Sequence, residues 1–199
     1  MDRTSGLRPA SAILALGAMA LVLLVPTGVG AGTGPRCFGQ NAVIVGTPAN
    51  DTTLNGTPGR DVVWLDAGDD EFKGRGGRDK ICGAGGDDRL AGNGGHDQID
   101  GGRGDDDLFG GAGRDQMLGR NDGDDMRGGK GFDLVKGGKG ADDVSGNPGP
   151  DHLRGGRGND VLSGDSGSDR IDGGPGGDVC FTDGNDVLVS CEEALPEGE

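Results

Sequence analysis

The sequence has few of the residues that usually build a hydrophobic core. It contains no tyrosine, one tryptophan and five phenylalanines, so aromatic residues make up only 3% of the chain. Leucine, isoleucine, valine and phenylalanine together number 29 in residues 32–199. A charged chain with so few large apolar side chains normally stays disordered. We therefore expect that apolar burial alone does not fold this chain.

Positive charge is also scarce. The chain has 19 lysine and arginine residues against 34 aspartate and glutamate residues, which gives a formal net charge of −15 and an isoelectric point near 4.4. Such an acidic chain argues against nucleic acid or an acidic membrane surface as a partner. It favours the binding of cations.

Motifs typical of enzymes are missing. The chain has two histidines, His96 and His152, and no His-Glu-x-x-His zinc motif. Glycine spacings of the dinucleotide or P-loop kind lack the lysine and the alternating strands and helices that these sites need. EF-hand loops would need a closing glutamate and flanking helices, and neither is found. The sequence therefore predicts a protein that is not an enzyme.

Only one long apolar run is present, from Ala12 to Val25. Arg3 and Arg8 precede it, and the small residues Val29-Gly30-Ala31 follow it. This order predicts a secretory signal peptide over residues 1–31 and a secreted, extracellular protein, with cell-surface association left open. The alternative is an uncleaved membrane anchor, but the run is shorter than the 18 or so residues expected for a span. After cleavage we expect no membrane span.

Glycine and aspartate dominate the rest of the chain, and they are periodic. Reading residues 56–181 in blocks of nine places an aspartate at one fixed position in all fourteen blocks. These aspartates are Asp61, Asp70, Asp79, Asp88, Asp97, Asp106, Asp115, Asp124, Asp133, Asp142, Asp151, Asp160, Asp169 and Asp178. Glycine lies two residues before thirteen of them, with Asp122 as the exception, and an apolar side chain lies two residues after each. An internal repeat of this length decides the fold class before any other pattern.

The complete unit is seen in Gly101–Phe109, which reads Gly-Gly-x-Gly-x-Asp-x-apolar-x. It resembles the nonapeptide of the RTX, or hemolysin-type calcium-binding, repeat family, and the resemblance covers about 126 residues. The resemblance implies an all-β fold, a right-handed parallel β-roll. Two nonapeptides would form one coil, and the repeats would form about seven coils.

The resemblance also implies several bound Ca²⁺ ions, held between the turns of repeat n and repeat n+2. Asp88 would then be paired with Asp106, and all fourteen repeat aspartates become candidate metal ligands. The chemistry agrees, because glycine allows sharp turns whose carbonyl oxygens converge, and calcium prefers carbonyl and carboxylate oxygens. Because the stacked aspartates repel one another without a cation, we expect the chain to fold as it binds calcium. A solvated acidic face without structure is the alternative.

The repeats are flanked by segments that are out of phase. Residues 32–55 include the degenerate repeat Gly46–Asp51 and are predicted to form an N-terminal cap, since the end coils of a solenoid need covering. The calcium-binding roll then spans 56–181. Residues 182–199 are predicted to form a C-terminal cap and an acidic tail. Glycine is replaced at the second position of eight repeats, and we expect those turns to be less tight.

Four cysteines are present, Cys37, Cys82, Cys180 and Cys191, and they suit an oxidising compartment. Of the three possible pairings we favour Cys37 with Cys82 and Cys180 with Cys191, because each bridge would then clamp one cap to the nearest coil. Free thiols, or a metal site built from them, are the alternatives.

The sequence leaves more than one function open. The first hypothesis is an exported calcium-binding repeat protein with a structural or interaction role. A second is an accessory relative of an RTX toxin or enzyme, although about 24 residues before the repeats and 18 after them leave little room for another domain. A third is a calcium-dependent surface adhesin. The sequence identifies no cell-surface or protein partner.

Overall fold

The computed structural model describes residues 35–52 and 54–196. The predicted signal peptide and residues 197–199 of the predicted tail lie outside the described residues. Every regular element in the described part of the chain is a β-strand, which confirms the all-β prediction. No helix that could cross a membrane is found among these residues.

Twenty strands, β1–β20, form one small pair and two large sheets. The small antiparallel pair is β1 (Arg36–Cys37) and β2 (Gln40–Asn41). The odd sheet contains β3 (Ile44–Val45), β5 (Val62–Trp64), β7 (Lys80–Cys82), β9 (Gln98–Arg103), β11 (Gln116–Asn121), β13 (Leu134–Lys139), β15 (His152–Arg157), β17 (Arg170–Asp172) and β19 (Val187–Val189). The even sheet contains β4 (Leu54–Asn55), β6 (Glu71–Lys73), β8 (Arg89–Gly95), β10 (Asp107–Gly113), β12 (Asp125–Gly131), β14 (Asp143–Ser145), β16 (Val161–Ser163), β18 (Val179–Thr182) and β20 (Glu193–Pro196).

The chain alternates between the two large sheets, and each strand pairs in parallel with the strand two places later. Leu108 of β10, for example, lies beside Leu90 of β8 on one side and Met126 of β12 on the other. Each of these partners lies two repeats away along the chain, so two nonapeptides make one coil. Coils stacked in this way form a parallel β-solenoid of about eight turns.

The core is a single stack of side chains between the two sheets. The apolar residue of every repeat, from Val63 to Cys180, is at most 2% exposed. The middle residue of each short strand faces inward while its neighbours face outward, because strand side chains alternate between the two faces. Leu65 adds to this core from the first position of its repeat, where the other repeats have glycine.

The flanking segments continue the sheets but shift the register. Ile44 of β3 pairs with Val63, and their separation exceeds two repeats by a single position. Leu188 of β19 pairs with Ile171, and here the separation falls short of two repeats by a single position. The degenerate repeat before the roll and the shortened one after it thus extend the stack by one insertion and one deletion.

Two disulfides tie these ends to the coils. Cys37 is bonded to Cys82 and Cys180 to Cys191, which confirms the favoured pairing, and no described cysteine is free. At the N-terminal end, Trp64 packs against the buried cluster that contains the first disulfide. This tryptophan is therefore part of the end structure rather than an isolated surface aromatic.

Most turns with substituted glycines keep a positive φ, although it is smaller than the φ of glycine at the same position. Seven of the eight non-glycine residues at the second repeat position have φ between 60° and 96°; these are Asp66, Arg75, Ala84, Asn93, Arg120, Asn147 and Asp165. These residues therefore lie in the left-handed region, and the expectation of looser turns stays a prediction. A side chain held in the left-handed region costs roughly 1–2 kcal/mol, so the stack imposes the turn at some cost in stability.

Candidate metal centre

The fourteen repeat aspartates lie in two rows, one along each edge of the stack. All fourteen are buried, with Asp61 the most exposed at 7%. In each row, the backbone N–H of one aspartate donates to Oδ1 of the aspartate one coil later. The N–H of Asp88 reaches Oδ1 of Asp106 at 2.9 Å, and that of Asp97 reaches Oδ1 of Asp115 at 2.8 Å. The sequence prediction that repeats n and n+2 are neighbours is thus correct.

Each row is one residue longer than the sequence analysis predicted. The N–H of Asp51 donates to Oδ1 of Asp70 at 2.6 Å, and the N–H of Asp169 donates to Oδ1 of Asp186 at 2.9 Å. The separations are 19 and 17 residues, so neither aspartate falls in the nine-residue phase. The degenerate repeat and its shortened C-terminal echo were the signals that could have revealed them.

The second carboxylate oxygen is what makes these rows unusual. In thirteen of the fourteen repeats, from Asp70 to Asp178, the Oδ2 atom is buried and has no hydrogen-bond partner. In the remaining repeat, Oδ2 of Asp61 accepts the N–H of Thr57 at 2.7 Å. A buried polar atom without a partner costs about 1–3 kcal/mol, and more when it carries charge. Thirteen such oxygens, six in one row and seven in the other, point to bound cations or protons.

The pKa values of these carboxyls also show that the buried, charged form is unfavourable. Burial raises the pKa of Asp88 to about 8 and that of Asp106 to about 7, from an ordinary value of 3.8. The hydrogen bond from the preceding coil acts in the opposite direction, and the neighbouring aspartates of the row raise the pKa further. The pKa of Asp115, Asp124 and Asp151 is likewise raised to about 7, mainly by burial. A folded coil therefore binds a proton at each of these sites more readily than the unfolded chain does.

The first glycine of the repeat brings a second kind of oxygen to the carboxylate. At Gly110, an added Cβ atom would lie 2.4 Å from the carbonyl oxygen of Gly128 and 2.8 Å from Oδ2 of Asp115. Both oxygens thus border the same small gap, which only a glycine leaves open. The arrangement recurs at Gly74, where the neighbours are the Gly92 carbonyl and Oδ2 of Asp79.

These donors fit calcium. Between residues 35 and 196, residue 53 apart, no three acidic, histidine or cysteine side chains converge on one point, whereas carbonyl oxygens do lie beside the carboxylates. Carboxylate plus carbonyl oxygen is the set that calcium takes, whereas zinc and copper sites use nitrogen and sulfur. The repeat aspartates and the turn carbonyls would hold the ion, and the ion would supply the positive charge that the unpartnered oxygens lack.

The other aspartates of the turns are in a different situation. Asp69, Asp87 and Asp105 form a solvent-exposed column in which the N–H of Asp87 donates to Oδ1 of Asp69 at 3.1 Å. Asp107 is partly exposed and forms an ion pair with Arg89 at 3.3 Å. The exposed carboxylates can hydrogen-bond to water, and Asp107 is paired with an arginine. These aspartates therefore do not need a bound cation.

Comparison with protein families identifies the family to which these repeats belong. A family model for the RTX calcium-binding nonapeptide repeat matches four segments of the chain, residues 45–81, 83–117, 118–153 and 145–180. No curated protein matches the chain. The matched segments span most of the chain and include all fourteen repeat aspartates. The chain therefore belongs to the RTX calcium-binding nonapeptide repeat family, whose repeats bind several calcium ions.

Proposed function

We propose that this chain is an exported, non-catalytic protein whose β-solenoid folds when calcium binds, with the fourteen repeat aspartates as ligands. The observation that carries the proposal is the set of thirteen buried Oδ2 atoms, in two rows, that have no hydrogen-bond partner. Each is an acceptor with negative charge in a place that water does not reach. A calcium ion at each turn would remove that cost.

The lean core supports the same conclusion. One apolar residue per nine buries little surface, while the chain contains 47 glycines whose backbone freedom is lost on folding. An ion that binds only the folded form adds its binding free energy to the stability. Since the sites are repeated along two rows, these contributions accumulate, and metal affinity becomes folding free energy.

An extracellular setting suits this mechanism. Two disulfides persist where the surroundings are oxidising, and the apolar run Ala12–Val25 has the order expected of a signal peptide. Extracellular calcium modules have dissociation constants of about 10⁻⁴ to 10⁻³ M, which suits calcium levels outside cells. The chain would remain unfolded during export and fold afterwards.

The test compares residues 32–199 without divalent ions, with magnesium and with calcium. We expect strand-type circular dichroism and a compact hydrodynamic radius with calcium alone, because magnesium is smaller and keeps its water. A chain that is already compact after removal of calcium, and melts at the same temperature when calcium is restored, would contradict the proposal.

A further inference from the structure

One face of the solenoid carries most of its positive charge. Between residues 35 and 196, all but five of the lysine and arginine residues lie on the odd sheet, on its bordering turns or in the N-terminal segment beside it. The five on the even side are Lys73, Arg75, Arg89, Arg127 and Lys130. A protein with an overall excess of acid thus has a basic face.

Part of this charge lines a groove of about 740 Å³ at the edge of the odd sheet. We call it the arginine groove and define it by Arg60, Arg78, Lys80, His96, Arg114 and Phe132. Arg60, Arg78, His96 and Arg114 occupy the same repeat position in four consecutive coils. Stacked strands are about 4.8 Å apart, so these residues form a line with that spacing.

The cations of the arginine groove have no acidic partner. Among the described residues, none of its three arginines or its lysine forms an ion pair. On the even sheet, by contrast, Arg89 and Arg127 are each paired with a neighbouring aspartate. The groove is also lined by Asp79, Asp97 and Asp115, but these side chains are buried and belong to one of the two rows of repeat aspartates. The exposed charge of the groove is therefore positive and unpaired.

Several side chains of the groove are held in place. The backbone N–H of Arg114 donates to Nδ1 of His96 at 2.8 Å, which fixes that ring. The guanidinium of Arg114 lies 4.5 Å from the centre of the Phe132 ring, and the His152 ring meets the same phenylalanine edge-on at 5.0 Å. Ordered cations beside an aromatic ring lose less entropy when a ligand arrives.

We propose that the arginine groove binds a linear acidic oligosaccharide, with a carboxylate or sulfate on successive sugars, along the axis of the solenoid. The three arginines of the line are separated by multiples of the coil spacing, which is about the length of one sugar ring, and arginine matches carboxylate and sulfate with paired hydrogen bonds. Phe132 offers an apolar face to the sugar ring at the end of the line. Gln98 and Gln116, hydrogen-bonded to each other at 3.0 Å on the groove floor, offer amides to hydroxyl groups.

Nucleic acid fits the same groove less well. A duplex carries one charge about every 1.7 Å along its axis, which is far denser than three arginines spread over four coils.

This inference goes beyond the proposed function, because calcium builds the coils and the arginine groove is a surface of the finished coil. The test is a binding titration of the calcium-loaded chain with sulfated cellohexaose, unmodified cellohexaose and a single-stranded hexanucleotide. We expect the sulfated sugar to bind, the neutral one to bind at least about tenfold more weakly, and the affinity to fall as salt rises.

Two double variants distinguish binding at the arginine groove from a general effect of net charge on affinity. Arg78→Glu with Arg114→Glu should lower the affinity for sulfated cellohexaose at least about tenfold, because charge-assisted hydrogen bonds are lost. Arg75→Glu with Lys130→Glu makes the same change in net charge on the even side, and should lower it less than about threefold. Circular dichroism with and without calcium reports folding of each variant, so a failure of calcium-dependent folding is seen separately from a failure to bind.

The proposal is overturned if the wild-type chain does not bind the sulfated sugar, or if both double variants lose affinity equally. Tighter binding of the hexanucleotide, lost in the groove variant, would assign the groove to polyphosphate and would also overturn it.

Discussion

The backbone N–H of Asp88 donates to Oδ1 of Asp106 in the next coil at 2.9 Å, and the Oδ2 atom of Asp106 lies buried without a partner. One carboxylate thus has two roles. Its first oxygen joins adjacent coils, and its second oxygen requires a cation or a proton.

The two roles can be separated by Asp106→Asn. The amide keeps an oxygen for the N–H of Asp88 but removes the negative charge, so we expect calcium-dependent stabilisation to fall by roughly 3 kcal/mol, the usual loss when one member of a buried charge pair is removed. Urea unfolding with and without calcium measures it. Asp107→Asn is the matched control, because its ion pair with Arg89 is exposed and worth at most about 1 kcal/mol. Equal losses in the two variants would show that the ligand position is misassigned.

At acidic pH, protons on the buried aspartates should stabilise the calcium-free fold in part, as calcium does. The pKa of Asp88 is raised to about 8 and that of Asp106 to about 7, from 3.8, because both carboxyls are buried. A raised pKa means that the folded form binds the proton more tightly than the unfolded form does. Protonation of these carboxyls therefore stabilises the folded chain fully below about pH 4, and this stabilisation is lost as the pH rises through about 7 to 8. We expect calcium-free protein to gain strand signal on acidification and to lose it towards pH 8. Circular dichroism across this range tests the sign, and greater calcium-free stability at pH 8 than at pH 5 would refute it.

The same linkage predicts that calcium binds more weakly in acid, because protons compete for the Oδ2 atoms. Calcium titrations at pH 5 and pH 8 should show a higher midpoint concentration at pH 5. A midpoint independent of pH would mean that the buried carboxyls are not the ligands.

Two adjacent glycines should differ sharply in their tolerance of a methyl group. Gly95 has φ +138° and an added Cβ would lie 1.5 Å from the carbonyl oxygen of Gly77, whereas the nearest atom to a Cβ on Gly94 is 3.6 Å away. Gly95→Ala should therefore cost more than about 4 kcal/mol, and Gly94→Ala should change stability by less than about 1 kcal/mol. Thermal unfolding in calcium measures both. Similar melting temperatures for the two variants would argue against the close stacking of these turns.

The two disulfides should stabilise the ends unequally. Cys37 and Cys82 close a loop of 45 residues and Cys180 and Cys191 one of 11, so loop entropy predicts about 4 and about 3 kcal/mol. Replacing each pair with alanine, and measuring urea unfolding in calcium, tests this order. Hydrogen exchange should show faster opening only in the end coils that each bridge joins. Uniform loss of protection along the solenoid would contradict a role confined to the ends.

Much of the fold follows from the repeat, because an unbroken period of nine fixes both the coil and its inward side chain. Leu108 and Met126 are two repeats apart, and parallel stacking necessarily places them together in the core. The two caps were harder to place, since Asp51 and Asp186 join the rows through separations of 19 and 17 residues that break the period. The left-handed backbone at Ala84 was not predicted either, because the stacked coils hold its φ at +85° although it is not glycine.

By itself, the sequence determined which apolar residues are buried and which aspartates stack from coil to coil, since those positions repeat at one phase. Only the tertiary structure decided that Oδ2 of these aspartates is left without a partner, and that Arg60, Arg78 and Arg114 form one line while the column of exposed turn aspartates lies on the other side. The reason is that alternate repeats belong to opposite sheets. A charge at a variable position acquires neighbours only when coils of two repeats stack, and a period of nine does not show which side it will be on.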